Sequence, residues 1–208
     1  MKRFPGYYRD INGSESVVFA LEGSAYAVTI RGVRFTARQP EDFEPEEGTP
    51  EERLSTFSLA TNSLVACAYG FHVPLILVCP DHTEEVILSV AFCLEATHTL
   101  TVRLLSPSLD LSAQDDKDTY FDAALERLLA QLPLQTHLRF CFGCRWGAIE
   151  PCYGLNGNFG CFRTRKAERE AAQSHKALMH LWPPPEHRQE IDRCEEFTPR
   201  GNRNWQAH

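Results

Sequence analysis

The cysteines in the C-terminal third of the chain have spacings that suit a metal site. Cys141 and Cys144 form a Cys-x-x-Cys motif directly after a strand-like run, with Gly143 between them. Two thiolates three residues apart can bind one tetrahedral metal ion from a tight turn, and a glycine relieves the backbone at the bend. The alternative, a redox-active pair, requires the motif at the start of a helix. Residues 145–151 have the composition of a loop or short strand, so metal binding is predicted.

A closed tetrahedral site needs two further ligands. The nearby candidates are Cys152, Cys161, Cys194, His175, His180 and His187. Residues 154–160 contain three glycines and an Asn-Gly pair, which is typical of a reversing loop that returns the chain to the motif at Cys161. A second return, after the prolines at 183–185, leads to Cys194. The predicted ligands of a structural Zn²⁺ ion are therefore Cys141, Cys144, Cys161 and Cys194, with Cys152 or His187 as a substitute for one of them.

Zinc in this position would be structural. The region from residue 150 onward is dominated by Gly, Asn, Arg and Pro. It has too few apolar side chains to fold alone, whereas a zinc–thiolate site supplies on the order of ten kcal/mol. The remaining cysteines, Cys67, Cys79 and Cys93, lie inside apolar runs and are expected to be small core residues.

Catalytic signatures are weak in this sequence. It has no nucleophile elbow, phosphate-binding loop, dinucleotide-binding glycine motif or His-Glu-x-x-His motif. His175 and His180 are five residues apart on a predicted helix, so they do not share a face. A zinc ion with four thiolates leaves no open position for water. We therefore predict a protein that is not an enzyme.

Charge is divided unevenly over the 208 residues. Lys and Arg number 21 and Asp and Glu number 28, which gives a formal net charge of −7. Residues 1–138 carry a net charge of −10, and residues 139–208 carry +3. An acidic surface disfavours nucleic acid, because phosphate binding needs Lys and Arg. It suits a basic protein partner, although it could also serve solubility alone.

The most acidic stretch is residues 41–52, in which seven of twelve side chains are acidic. Pro45 and Pro50 interrupt it, so a strand interior is not expected and an exposed loop is predicted. The segment is either a solvated connection or a partner-binding surface, and in the second case its acidic residues are the predicted partner-binding side chains: Glu41, Asp42, Glu44, Glu46, Glu47, Glu51 and Glu52.

The rest of the N-terminal part has the pattern of β structure. Short runs rich in β-branched and aromatic residues predict strands at 16–21, 25–30, 32–37, 64–69, 73–79, 85–94 and 99–105. An apolar stripe predicts an amphipathic helix over 118–132, with Asp118 as the N-cap and Pro133 after its end. The predicted fold class is α+β: an antiparallel sheet or sandwich with one packed helix (1–136), then a zinc-knuckle-like region with a helix (137–208).

No run approaches the roughly 18 apolar residues of a membrane-spanning helix, and the first ten residues lack the apolar core of a secretory signal. We therefore expect a cytoplasmic protein with no membrane partner, in which the eight cysteines remain thiols or metal ligands.

Residues 137–203 carry a further set of short motifs. They are Phe140-Cys141-Phe142-Gly143-Cys144, Gly157-Asn158-Phe159-Gly160, Cys161-Phe162-Arg163 and Cys194-Glu195-Glu196-Phe197. Together they resemble an uncharacterised bacterial cysteine-rich domain family whose members look like immunity proteins against polymorphic or type VI secreted toxins. The resemblance implies the same four cysteines and favours Cys194 over Cys152. Cys152 stands where that family would have a tyrosine.

Three hypotheses follow. The first is a non-enzymatic immunity protein that binds a cognate toxin and holds a structural zinc ion. The second is a zinc ribbon that binds nucleic acid through Arg139, Arg145, Arg163, Arg165, Lys166 and Arg169, with Trp146 and Phe162 as stacking surfaces. The third is a metal-dependent enzyme, which would need an open zinc site.

Overall fold

A computed structural model of the chain describes residues 1–95, 98–115, 120–149 and 159–200. Its main feature is a ten-stranded antiparallel sheet with the order β11-β10-β9-β8-β1-β2-β3-β4-β5, in which β12 also pairs with β8. Two small sheets accompany it, β13-β14-β15 and β6-β7. The strands are β1 (Lys2–Asp10), β2 (Gly13–Glu22), β3 (Ala25–Ile30), β4 (Val33–Ala37), β5 (Glu44–Pro45), β6 (Leu59–Ala60), β7 (Ser63–Leu64), β8 (Ala68–Val78), β9 (Thr83–Leu94), β10 (His98–Leu105), β11 (Asp110–Asp115), β12 (His137–Leu138), β13 (Gly147–Ile149), β14 (Phe159–Cys161) and β15 (Glu186–Arg188). The helices are α1 (Glu51–Leu54), α2 (Phe121–Leu129), α3 (Lys166–Ala171) and α4 (His175–Leu181), with a 3₁₀ turn at Arg163–Arg165.

One face of the large sheet forms the core. Alternate residues of β8, β9 and β10 point inward, because successive side chains of a strand lie on opposite faces. Aromatic rings fill the centre: Phe19 contacts Phe71 with ring centroids 5.1 Å apart, and Tyr69 stacks on Phe92 at the same separation. The predicted antiparallel, sheet-dominated α+β fold is confirmed.

Close packing of β1 against its neighbours depends on a glycine. A Cβ atom at Gly6 would lie 2.2 Å from the carbonyl oxygen of Gly70 and 2.8 Å from the ring of Phe19. Only a residue without a side chain allows the Phe19 ring to lie over the backbone of β1.

Helix α2 covers part of the inner face. Phe121, Ala124, Leu125 and Leu128 are buried, and the helix packs against β10 and β11. It is shorter than predicted at its C-terminal end, because Gln131 and Leu132 donate to carbonyls three residues back and tighten the chain before Pro133. The predicted N-cap, Asp118, lies outside the described residues, and Tyr120 occupies the cap position without a side-chain bond.

Several strands differ from their predicted bounds. The predicted strands at 64–69 and 73–79 are replaced by one strand, β8, which pairs with β9 continuously from Ala68 to Val78. Strands β1 and β11 were not predicted, since Pro5 and Gly6 mask the pattern of β1 and polar residues dominate β11. Residues 41–52 also contain β5 and the start of α1, so they are not wholly a loop.

The C-terminal region shares the core of the sheet. Phe140, Phe142, Phe159 and Ile191 belong to the same cluster of buried residues as the strands. The stretch 163–181 contains two separate helices, α3 and α4, and the hydroxyl of Ser174 caps α4 by accepting from the backbone of Ala177. The boundary at residue 136 stays a prediction.

Within the described ranges, none of the helices is long and apolar enough to cross a membrane.

Candidate functional site

The Cys-x-x-Cys motif forms a tight turn immediately after β12. The backbone N–H of Cys144 donates to the carbonyl of Cys141 at 3.0 Å, and that of Gly147 donates to the carbonyl of Cys144 at 3.1 Å. Gly143 is required here by close approach, because a Cβ atom would lie 2.9 Å from the carbonyl oxygen of Leu138. The turn therefore presents both thiols from one short segment.

Two other segments bring the remaining predicted ligands to this turn. Cys161 in β14 pairs with Gly147 in β13, three residues after Cys144. The segment that leads to Cys194 is hydrogen-bonded to the turn, since the N–H of Cys141 donates to the carbonyl of Asp192 at 2.7 Å. Three distant parts of the sequence thus meet at one cluster, which we call the cysteine cluster: Cys141, Cys144, Cys161 and Cys194.

The other thiols of the cysteine cluster contribute to the pKa of Cys141. The pKa of Cys141 is raised mainly by burial and then by Asp192, with further contributions from Cys161, Cys194 and Cys144. Burial also raises the pKa of Cys161. Without a cation, thiolates in this cluster would repel one another, and a divalent metal ion would remove that penalty.

The cysteine cluster offers thiols, which are donors that zinc prefers, from segments that lie side by side. The distances between its sulfur atoms are, however, longer than those in a zinc site. Over the described ranges, three ligand atoms lie within 4.8 Å of one another at Cys79, His82 and Glu84, and the cysteine cluster does not form such a group. Coordination there would require the side chains to draw together.

The two predicted substitutes have different outcomes. Cys152 lies outside the described residues. His187 pairs with Gly160 while Glu186 pairs with Cys161, so His187 and Cys161 point to opposite faces of the small sheet. His187 contacts the ring of Trp182 instead, at 6.4 Å between centroids. The structure gives His187 no path to the cysteine cluster.

The acidic segment forms one rim of the large sheet. Six of its seven predicted partner-binding residues are exposed: Asp42, Glu44, Glu46, Glu47, Glu51 and Glu52. An open groove of about 530 Å³ lies beside two of them, Asp42 and Glu44, and is also lined by residues of β3 and β4 and by Arg38 and Gln39. We call the six exposed residues and this groove the acidic edge.

Glu41 does not belong to the acidic edge, contrary to prediction. Its carboxylate turns inward and receives a hydrogen bond from the backbone of Phe121, the first residue of α2. It lines a cavity of about 10 Å³ together with Asp122 and Glu190, which leaves room for about one water molecule. Its Oε2 atom has no hydrogen-bond partner among the described residues.

The other two carboxylates of this cavity are also perturbed. Burial raises the pKa of Glu41 and of Glu190 to about 8 each, and burial raises the pKa of Asp122 as well. The sequence could not show this group, because Glu190 arrives from the far end of the chain. The cavity has room for about one water molecule and is far smaller than a ligand pocket.

The basic residues of the nucleic-acid hypothesis are largely occupied. Arg145 pairs with Glu170 at 2.8 Å and Arg163 with Glu186 at 3.1 Å, and Lys166 pairs with Glu196 at 3.3 Å. Trp146 is 7% exposed and Phe162 is fully buried, so neither ring offers a stacking surface.

Comparison with known proteins gives one match. The model of a family described as a family of unknown function (DUF6304) matches residues 2–147, more than two thirds of the chain. No curated protein and no solved structure matches. The matched range includes the large sheet, α2 and the Cys-x-x-Cys turn, and it ends before Cys161.

Proposed function

The chain belongs to the family DUF6304, and we propose that it is a non-enzymatic immunity protein that binds and neutralises a cognate secreted toxin. The observation that carries this proposal is the acidic edge, a row of exposed carboxylates of which Asp42 and Glu44 border an open groove. The family match says nothing of immunity; the toxin partner follows from the resemblance of residues 137–203.

Four carboxylates of the acidic edge are free to bind a partner. Glu44, Glu47, Glu51 and Glu52 are exposed, and none of them forms an ion pair with another described residue. Such uncompensated charge accelerates association with a basic protein surface and selects against acidic ones. These side chains would pair with basic toxin residues or imitate the negative charge of the toxin's substrate.

Neighbouring contacts hold the acidic edge in place. Arg34 on β4 binds Glu22 on one side and Glu46 on the other. The guanidinium of Arg53 donates to the carbonyl of Gly32 at 2.8 Å, and the hydroxyl of Thr49 donates to the carbonyl of Glu46 at 2.6 Å. A rim ordered before binding loses less entropy on association, which favours tight occlusion of a toxin.

The proposed Zn²⁺ ion belongs to the scaffold. Cys141, Cys144, Cys161 and Cys194 would hold it, and four thiolates would supply structural cross-linking of three chain segments without an open position for water. Reduced thiols suit the proposed cytoplasmic location, and all described cysteines are free.

Co-purification with the product of the neighbouring gene tests this function. We expect a stable complex with the wild-type chain. Glu47→Lys and Glu51→Lys should each lower the affinity about tenfold, mainly because association becomes slower. Added salt should slow the association of the wild-type chain in the same way, because it screens the charges. Glu85→Lys is the matched control, because Glu85 is exposed on β9 away from the acidic edge. Equal loss in all three variants, or no complex with wild type, would contradict the proposal.

A further inference from the structure

The tip of the β8–β9 hairpin brings three metal-binding side chains together. Val78 and Thr83 form the last strand pair, and the backbone N–H of Cys79 donates to the carbonyl of His82 at 2.9 Å to close the turn. The thiol of Cys79, an imidazole nitrogen of His82 and a carboxylate oxygen of Glu84 all lie within 4.8 Å of one another.

We propose that Cys79, His82 and Glu84 bind a Zn²⁺ ion, in a site separate from the cysteine cluster. Thiolate, imidazole and carboxylate are the ligand types that zinc takes in proteins. In a tetrahedral zinc site with bonds of about 2.0–2.3 Å, ligand atoms lie about 3.4–3.8 Å apart. Small side-chain rotations at this hairpin tip close the remaining gap.

Each of the three ligands is already oriented by a hydrogen bond from a neighbour. Asp81 lies 2.7 Å from Nδ1 of His82, which engages that nitrogen and leaves Nε2 for the metal ion. The hydroxyls of Ser106 and Ser108 both bond to Oε1 of Glu84, which leaves Oε2 for the metal ion. A carboxylate on the far nitrogen of a histidine is the usual support of a zinc ligand, because it fixes the tautomer and ring orientation.

The third ligand also has a supporting neighbour, Thr136, directly before β12. Burial raises the pKa of Cys79, as do Glu84 and Asp81, and the side-chain hydrogen bond from Thr136 opposes that rise. Asp81 and Thr136 thus flank the turn from two directions, while His82 remains half exposed and leaves a path for the ion to enter. The hairpin therefore provides three ligands, residues that hydrogen-bond to those ligands, and an open path for the ion.

Three protein ligands leave the fourth position of the ion to a water molecule. This distinguishes the hairpin site from the cysteine cluster, whose four thiols would exclude water. It also makes the two sites separable by spectroscopy, because Co²⁺ in the hairpin site would carry a single thiolate and Co²⁺ in the cysteine cluster would carry several.

Metal titration of the full-length chain tests the site. The protein is stripped with a chelator, titrated with Co²⁺ and then back-titrated with Zn²⁺, while the sulfur-to-cobalt absorption is followed. We expect His82→Gln and Glu84→Gln to abolish one equivalent of binding or weaken it about 100-fold, and Asp81→Asn to weaken it about 10-fold to 100-fold. His98→Gln is the control, since His98 is exposed at the start of β10 and outside the group.

His82 is exposed and Glu84 is partly buried, and neither belongs to the hydrophobic core, so these variants keep the core intact. Wild-type stoichiometry and affinity in both His82→Gln and Glu84→Gln would overturn the hairpin site. A chain that binds metal through His82 but gives no multi-thiolate spectrum would support the hairpin site and count against zinc in the cysteine cluster. Failure of the hairpin site and failure of zinc binding in the cysteine cluster therefore give different results.

Discussion

The phenol of Tyr26 donates a hydrogen bond to the carboxylate of Glu190 at 3.4 Å, although the two residues are 164 positions apart in the sequence. Tyr26 belongs to the large sheet, and Glu190 lies in the segment that leads to the cysteine cluster. Beside it, Gln189 donates to the carbonyl of Arg38 at 3.0 Å. The C-terminal segment is thus fastened to the sheet by buried polar contacts as well as by its core residues.

The buried carboxylates predict an unusual pH dependence of stability. Folding raises the pKa of Glu41 and of Glu190 to about 8 from an ordinary value of 4.5. Their contribution to stability is fully present below the unfolded pKa and is lost as the pH rises through that interval. We expect the free energy of unfolding to fall by about 2–4 kcal/mol between about pH 5 and about pH 8. Chemical denaturation at both pH values measures it.

Substitution of Glu41 tests whether its buried carboxylate causes the loss of stability at high pH. Glu41→Gln retains the shape and the hydrogen-bonding oxygen but has no charge to bury, so it should reduce the loss at high pH by about 1–3 kcal/mol. The exposed Glu44→Gln variant should behave as wild type. A wild-type profile in Glu41→Gln would show that Glu41 is not the titrating group.

The ion pair of Asp10 and Arg31 predicts the opposite behaviour in acid. Arg31 binds Asp10 through its two terminal guanidinium nitrogens, at 2.6 and 2.8 Å, and this lowers the pKa of Asp10. A lowered pKa gives stability above the unfolded value that is lost as the pH falls. Asp10→Asn should therefore cost about 1–3 kcal/mol at neutral pH and nothing measurable once the wild-type carboxyl is protonated. A cost that is equal at both pH values would contradict the ion-pair explanation.

The packing at Gly6 predicts a large effect of one methyl group. Gly6→Ala forces a Cβ atom against the Gly70 carbonyl and the Phe19 ring, so β1 must shift. We expect a loss of about 2–3 kcal/mol, the upper part of the range for overpacked cores. Ser16→Ala on the exposed side of β2 is the control and should change the melting temperature little. A Gly6→Ala protein as stable as wild type would show that β1 is not packed as described.

The cysteine cluster predicts that chelation loosens the C-terminal region. Cys141→Ser and Cys194→Ser should make residues 137–200 sensitive to protease, and chelator treatment of wild type should have the same effect. Cys67→Ser controls for the cost of a buried hydroxyl, because Cys67 is fully buried outside the cluster. It should lower the melting temperature and keep the response to chelator. Unchanged protease resistance in both cluster variants would refute the zinc clamp.

Local patterns explain which parts of the fold the sequence predicts well. The strands at β3 and β10 match their predicted bounds to within one residue, because alternation and turn residues are local signals. The buried face of α2 follows from its apolar stripe in the same way. Strand β1 is different: Pro5 and Gly6 disguise it, and its pairing with β8 joins residues far apart in the sequence.

Some residues of the candidate site can be predicted from the local sequence and others cannot. The Cys-x-x-Cys turn follows from spacing alone, whereas the burial of Glu41 depends on Glu190 and α2, which no local pattern reveals. Cys79 was expected in the core because it ends an apolar run, but it lies half-buried at a hairpin turn. The signal that could have identified it is the His82-Thr83-Glu84 spacing directly after the turn, once Pro80 and Asp81 are recognised as turn residues.

The most direct measurement of the proposed function is a survival assay in cells that express the product of the neighbouring gene. Growth should be arrested by that product alone and restored by co-expression of the wild-type chain. Restoration should weaken with Glu47→Lys combined with Glu51→Lys and remain complete with Glu85→Lys. Growth arrest that persists although the wild-type chain is fully expressed would contradict the account. Equal protection by the charge-reversed variant would contradict it as well.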